Sequence, residues 1–171
     1  MQQFGIANRV NNSYVRVHDD NTDVALYPVA ATYTDSQVGD LVDFNTSGQV
    51  VRAPSNNTSS SVYRGVVVGI PVNEEAYPSQ GGHYANAVLV SVIEPSKTEL
   101  FVREINDTGD YVAPSLAVNS AVRFIYNSTT KRWGVQAGGG TNPTHGYIVR
   151  RVERSGTDAQ GGYDGYIIRL V

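Results

Sequence analysis

Gln80-Gly81-Gly82-His83-Tyr84-Ala85-Asn86-Ala87-Val88-Leu89-Val90-Ser91-Val92-Ile93 is a glycine turn feeding an apolar strand. The chain repeats the phrase near its end as Gln160-Gly161-Gly162-Tyr163-Asp164-Gly165-Tyr166-Ile167-Ile168-Arg169-Leu170-Val171. Side chains of a strand alternate between two faces, so Val88, Val90 and Val92 share one face and Tyr166, Ile168 and Leu170 the matching one. On the opposite face the middle position is polar in both copies, Ser91 and Arg169. Shared turn, strand and face point to one β-module written twice. The rival account is that short β-segments resemble one another, since a single pair lacks the fixed period of a longer repeat array.

Upstream of each copy the order of elements also matches. Val38 to Phe44 alternates, turns through Asn45-Thr46-Ser47-Gly48 and returns as Gln49 to Ala53; Ala121 to Tyr126 turns through Asn127 to Thr130 into Lys131 to Val135. Each is a hairpin pattern with turn residues at its tip. A Ser/Asn loop from Pro54 to Ser61 has its counterpart in a glycine-rich loop from Ala137 to Thr144. Tyr63-Arg64-Gly65-Val66-Val67-Val68-Gly69-Ile70 is a continuous apolar run, the pattern of a strand buried on both faces, and His145-Gly146-Tyr147-Ile148-Val149 echoes it. A further hairpin is expected from Tyr14–Val17 and Val24–Val29 around the Asp/Asn tip 18–23, with Pro28 at an edge or strand end. Leu100 to Ile105 reads as a strand, and Leu116-Ala117-Val118 is the one place that allows a short helical turn. The expectation is an all-β chain of small β-barrel or sandwich modules, two similar ones in tandem, with long loops and an N-terminal arm. The expected division is 1–37 for the arm and first hairpin, 38–95 for the first module and 96–171 for the second, separate or packed as one domain.

Composition supports this class. Hydrophobic residues make up 40% and charged residues 17%, enough for a core and unlike a disordered chain. Seventeen Gly and seven Pro imply many turns, and eleven Tyr suit a pleated, half-exposed surface. The absence of Cys excludes disulfides and thiolate metal sites. Met1 to Gly5 has neither the basic start nor the apolar run of a signal peptide, and no stretch reaches the ~18 apolar residues of a membrane span, so a protein made in a cytoplasm, off the membrane, is expected. A net charge of −3 argues against a nucleic-acid partner. Charge is uneven: residues 1–60 hold three basic and six acidic side chains, and 131–171 hold six basic and three acidic. Such an asymmetry suits end-to-end association or an acidic partner surface.

No motif carries catalytic, cofactor or metal chemistry. Asp19, Asn21 and Asp23 open with calcium-loop spacing, but the Gly and Glu that the loop needs next are missing, which leaves a hairpin tip. His18, His83 and His145 have no ligand spacing and sit beside turns, so solvated loop histidines are expected. Glu74-Glu75 reads as a charged loop, and Gly138-Gly139-Gly140 lacks the Lys and helix of a phosphate loop. Tyr77 and Tyr84 lie among the aromatic residues that crowd the glycine turns, where exposed rings anchor interfaces or stack on sugars.

Val38-Gly39-Asp40-Leu41-Val42, a turn, Val50-Val51-Arg52-Ala53, a loop and Arg64-Gly65-Val66-Val67-Val68-Gly69-Ile70 resemble the core of tailed-bacteriophage capsid decoration, or cement, proteins. The likeness covers about the central third of the chain; the second half and the long loops depart from a minimal member. It implies a viral structural protein without enzyme activity or cofactor, made in the host cytoplasm and bound to the virion's outer capsid surface. It also implies a homotrimer whose partners are the major capsid protein lattice and itself. Candidate partner contacts are Phe4, Ile6 and Val10 in the arm, Tyr77 and Tyr84, and Arg150, Arg151 and Arg154. The alternatives are a phage tail or baseplate component and a carbohydrate-binding β-module. An enzyme using carboxylates from distant strands is a third class, and without a His, Ser or Cys motif none is expected.

Overall fold

The computed structural model describes residues 15–17, 23–70, 87–152 and 164–171. They form eleven strands in two antiparallel sheets, with no α-helix among the described residues. The first sheet holds β2 (Val24–Pro28), β3 (Leu41–Phe44), β4 (Val50–Arg52), β5 (Gly65–Gly69) and β6 (Ala87–Val92), in the order β2-β6-β5-β3-β4. The second holds β7 (Glu99–Val102), β8 (Ala121–Asn127), β9 (Arg132–Ala137), β10 (Gly146–Val152) and β11 (Gly165–Leu170), in the order β7-β11-β10-β8-β9. The two orders are one topology, stepped by five strands. A short strand β1 (Val15–Val17) is added to the outer side of β7.

The duplication holds residue by residue. Val67 pairs with Val90, and Ile148 with Ile168; beyond each pair the ladder skips one residue, Val68 in β5 and Val149 in β10. Gly39 N–H donates to Val67 O at 2.8 Å, and Asn119 N–H donates to Ile148 O at 2.8 Å. Arg64 N–H reaches Val42 O at 2.9 Å, and His145 N–H reaches Val122 O at 2.8 Å. Neither sheet closes into a barrel, yet each curls until one parallel bridge ties the residue just beyond β2 to β4, Val29 to Val50, and the chain just beyond β7 to β9, Glu104 to Val135. Val88, Val90 and Val92 therefore stand where Tyr166, Ile168 and Leu170 stand, and Ser91 where Arg169 does, as the strand patterns predict.

Local chemistry explains two of the matches. Gly39 and Asn119 both have positive φ, +91° and +68°, and glycine and asparagine are the residues that accept this left-handed region most readily. Gly65 and Gly146 are both fixed by close approach. A Cβ on Gly146 would lie 2.6 Å from the Arg169 carbonyl, and one on Gly65 would run into Val90.

Two expectations are corrected. Val15–Val17 and Val24–Pro28 do not form a hairpin: β1 pairs with β7 in the second sheet and β2 with β6 in the first. Both stretches read as strands, but pairing is set by which sheet edge each meets, which a local pattern does not encode. Leu116 to Val118 lies in a plain turn closed by Ser120 N–H on Ala117 O, and the short 3-10 turn falls at Ser60–Val62. The Gln-Gly-Gly turns, the Asp/Asn tip 18–22 and Glu74-Glu75 lie outside the described residues, as do His18 and His83.

The apolar interior has two parts. Val42, Val50, Val67, Val88 and Val90 fill the concave side of the first sheet under Tyr33. The equivalent second-sheet residues, Val122, Val135, Ile148, Tyr166 and Ile168, belong to a larger cluster. That cluster also takes in Leu41, Ala53, Tyr63, Val66 and Ile93 from the first module, so one core runs across both.

Candidate interaction surface

The modules join through an unlike pair of surfaces. Tyr63, at the end of the Ser/Asn loop, lies against Phe124 and His145, with ring centroids 5.0 and 4.7 Å away. Two hydrogen bonds accompany it: Asn56 N–H donates to Phe124 O at 2.9 Å, and the Ser60 hydroxyl to Val171 O at 2.8 Å. Burial pushes the Tyr63 hydroxyl up to about 12, and it donates to the Pro54 carbonyl. His145 is completely buried, which corrects its reading as a solvated loop histidine. Its Nδ1 accepts from Phe124 N–H at 2.7 Å and its Nε2 faces the Asn57 carbonyl at 2.6 Å. Those partners require a neutral ring with its proton on Nε2, and burial lowers the pKa accordingly.

A second tie is polar. The Asp40 carboxylate, fully buried, accepts from the Tyr33 hydroxyl, Gln37 and Arg52. Arg52 also donates to Asp35 Oδ1 at 3.0 Å and lies over the rings of Tyr33 and Tyr126, 4.8 and 4.4 Å from their centroids. Lys131 Nζ reaches Asp35 Oδ2 at 3.0 Å, and Gln37 donates to the Lys131 carbonyl. The second hairpin extends by Ile125–Gly134, Tyr126–Trp133 and Asn127–Arg132, pairs absent from the first, and this extension carries Lys131 and Tyr126 to the network. Burial raises the pKa of both Tyr33 and Asp40. With every Asp40 contact internal, the cluster is a structural tie. Among the described residues no group of three or more His, Cys, Asp or Glu is placed to hold a metal.

The outward sides of the two modules differ in what covers them. Val66 is 1% exposed and Ile93 5%, both inside the shared core, and the bulge residue Val68 packs against it. Their equivalents Tyr147, Val171 and Val149 are 46%, 49% and 39% exposed. Val118 is also exposed, beside Asn119, whose N–H binds the Ile148 carbonyl next to Val149. Ser91, buried, is matched by exposed Arg169, which pairs with Glu99. Arg150 and Arg151 continue β10 from this patch and are exposed, Arg151 donating to the Pro114 carbonyl at 2.8 Å. The structure thus sets two of the sequence-derived contact residues, Arg150 and Arg151, beside a face of exposed apolar side chains. Phe4, Ile6, Val10, Tyr77, Tyr84 and Arg154 lie outside the described residues.

Tyr147 stood among the aromatic residues crowding the glycine turns, whereas Val149, Val171 and Val118 were not singled out in the sequence, although a signal for them exists. Gly65-Val66-Val67-Val68-Gly69-Ile70 is apolar at every step, whereas Gly146-Tyr147-Ile148-Val149-Arg150-Arg151 turns charged, the mark of a strand with one face buried. Comparison of the chain with protein-family models, with curated proteins and with solved structures found no match. The fold and its surfaces therefore carry the functional argument.

Proposed function

We propose that the chain is a structural protein of a tailed-bacteriophage virion that binds the outer surface of the assembled capsid and stabilises it. The partners are the major capsid protein lattice and further copies of the chain in a homotrimer. The observation that carries this reading is the Tyr147–Val149–Val171 face, an exposed apolar patch bordered by Arg150 and Arg151. Contiguous exposed apolar side chains with a polar rim mark protein–protein contacts, and tyrosine with arginine suits their energetic centres. The basic border favours a partner face rimmed by carboxylates, a contribution that fades with salt. A ligand that binds only the assembled shell stabilises it by mass action, with no chemistry needed. Phe4, Ile6 and Val10 serve in this reading as arm anchors that add contacts on the shell. The test is co-sedimentation with empty capsids and with unassembled capsid protein, at low and high ionic strength. Selective binding to capsids, weakened by salt, is expected; absence of binding to any capsid removes decoration.

A further inference from the structure

An open cleft of about 630 Å³ lies on the first module, lined among others by Tyr27, Phe44, Arg64, Val92 and Pro95. The repeat identifies it. Its lining residues Tyr27, Phe44, Val92 and Arg64 correspond by strand register and hydrogen bonding to Val102, Phe124, Leu170 and His145. Those four are buried, and Tyr63 fills the place beside Phe124 and His145 with Asn57 offering its carbonyl to His145. Among the described residues the same position in the first module stands open, with Ser60, Ser61 and Tyr63 on its wall: Phe44 and Tyr27 are half-buried, their ring centroids 4.8 Å apart, and Arg64 lies over Phe44 at 5.2 Å. We propose that this cleft binds an aromatic-bearing segment of another protein, in the way that the second module holds Tyr63.

The chemistry of the lining narrows the ligand. Arg64 replaces His145 as the group facing the incoming backbone, and a guanidinium only donates, so the segment must offer it a carbonyl or carboxylate. Arg64 is bound only loosely by Asp43, 3.9 Å away and half-open to solvent, and can turn to such a partner. Neither of the two matching loops of a second copy supplies the segment. Its Tyr63 is already used within its own chain, and the equivalent loop, Gly139-Gly140-Thr141-Asn142-Pro143-Thr144, has no aromatic residue. The proposed occupant is a different protein, whether or not that protein is a capsid subunit.

The probe is a synthetic peptide of the chain's own residues 55–64, Ser55 to Arg64, added to isotope-labelled intact protein and followed by NMR. Shifts centred on Tyr27, Phe44, Arg64 and Val92 are expected. A peptide with Tyr63→Ala should bind about 10-fold more weakly or worse, as loss of a tyrosine anchor does. Arg64→Ala protein, altered at an exposed side chain, should also bind several-fold more weakly. No shift at millimolar peptide, or equal binding of the alanine peptide, would overturn the proposal. Shifts confined to Phe124 and His145 would show mere competition for the filled socket and overturn it too. Shifts of Tyr27 and Phe44 that track protein concentration without peptide would place a second copy in the cleft and overturn the assignment to a different protein.

Discussion

Val66 and Tyr147 occupy the same place in the same fold, between matched glycines and matched bulges, and only one of them is covered. The first module turns its outward face into the core shared with the second, while the second turns the equivalent face to solvent. The reverse holds for the mouths of the modules, filled by Tyr63 in the second and open in the first. Packing unlike faces of like units is a head-to-tail contact, and in an open pair it leaves one complementary face unused at each end. The difference teaches that exposure in this chain follows a module's place in the tandem, with backbone pairing common to both.

If the interiors are equivalent, Val90→Asp and Ile168→Asp should be equally damaging. Each places a charge in a dry core, at a cost of roughly 4 kcal/mol or more, and urea titration should show loss of the cooperative transition. One variant that folds while the other does not would break the equivalence of the two concave faces. The outward positions should instead diverge: Val66→Asp costs roughly 3 kcal/mol, and Tyr147→Asp stays within about 0.5 kcal/mol, by thermal unfolding. Equal effects would remove the asymmetry.

Arg52→Ala tests the polar tie that exists only at the junction. It leaves the buried Asp40 carboxylate without its cation, at a cost of about 3 kcal/mol near neutral pH. Burial already raises the Asp40 pKa, so the folded state holds that proton to higher pH than the unfolded chain. The penalty of the variant should therefore shrink as pH falls through the raised folded value, measured as the Arg52→Ala difference in unfolding free energy. His145 works in the opposite direction. Its folded pKa lies below the ordinary 6.5, so on acidification from about that pH the unfolded chain takes up a proton that the fold excludes. Stability should fall as pH drops from 6.5 through the depressed value. His145→Gln should cost about 1–2 kcal/mol at neutral pH and flatten that slope.

Much of the first module was legible because its residues obey local rules. The turn at Gly48, the alternation of β3 and the apolar run of β5 each follow from short-range chemistry, and the repeat multiplied their weight. The duplicated strands around Val90 and Ile168 carried the fold for the same reason. The partner of β1 was not legible: Val15–Val17 is apolar enough for any edge, and only the assembled sheets show that β7 is the one it joins. His145 was misread because nothing nearby in sequence announces that Tyr63 and Asn57 will close over it. The Tyr33–Asp40–Arg52 tie was missed for a related cause. Asp40 belongs to an ordinary turn pattern, and its arginine and the reach of the longer hairpin come from remote parts of the chain. The outward face of β10 could have been found, by setting its alternation against the unbroken run of β5.

The exposed face of the second module is the proposed attachment surface. The decisive measurement is the affinity of Tyr147→Asp protein for empty capsids, beside Val24→Asp, which alters an exposed apolar residue of β2 in the first sheet. With unfolding temperatures of both variants close to that of the unaltered chain, Tyr147→Asp is expected to bind about 10-fold more weakly or worse, and Val24→Asp as tightly as the unaltered chain. Capsid binding by Tyr147→Asp at unchanged affinity would contradict the account.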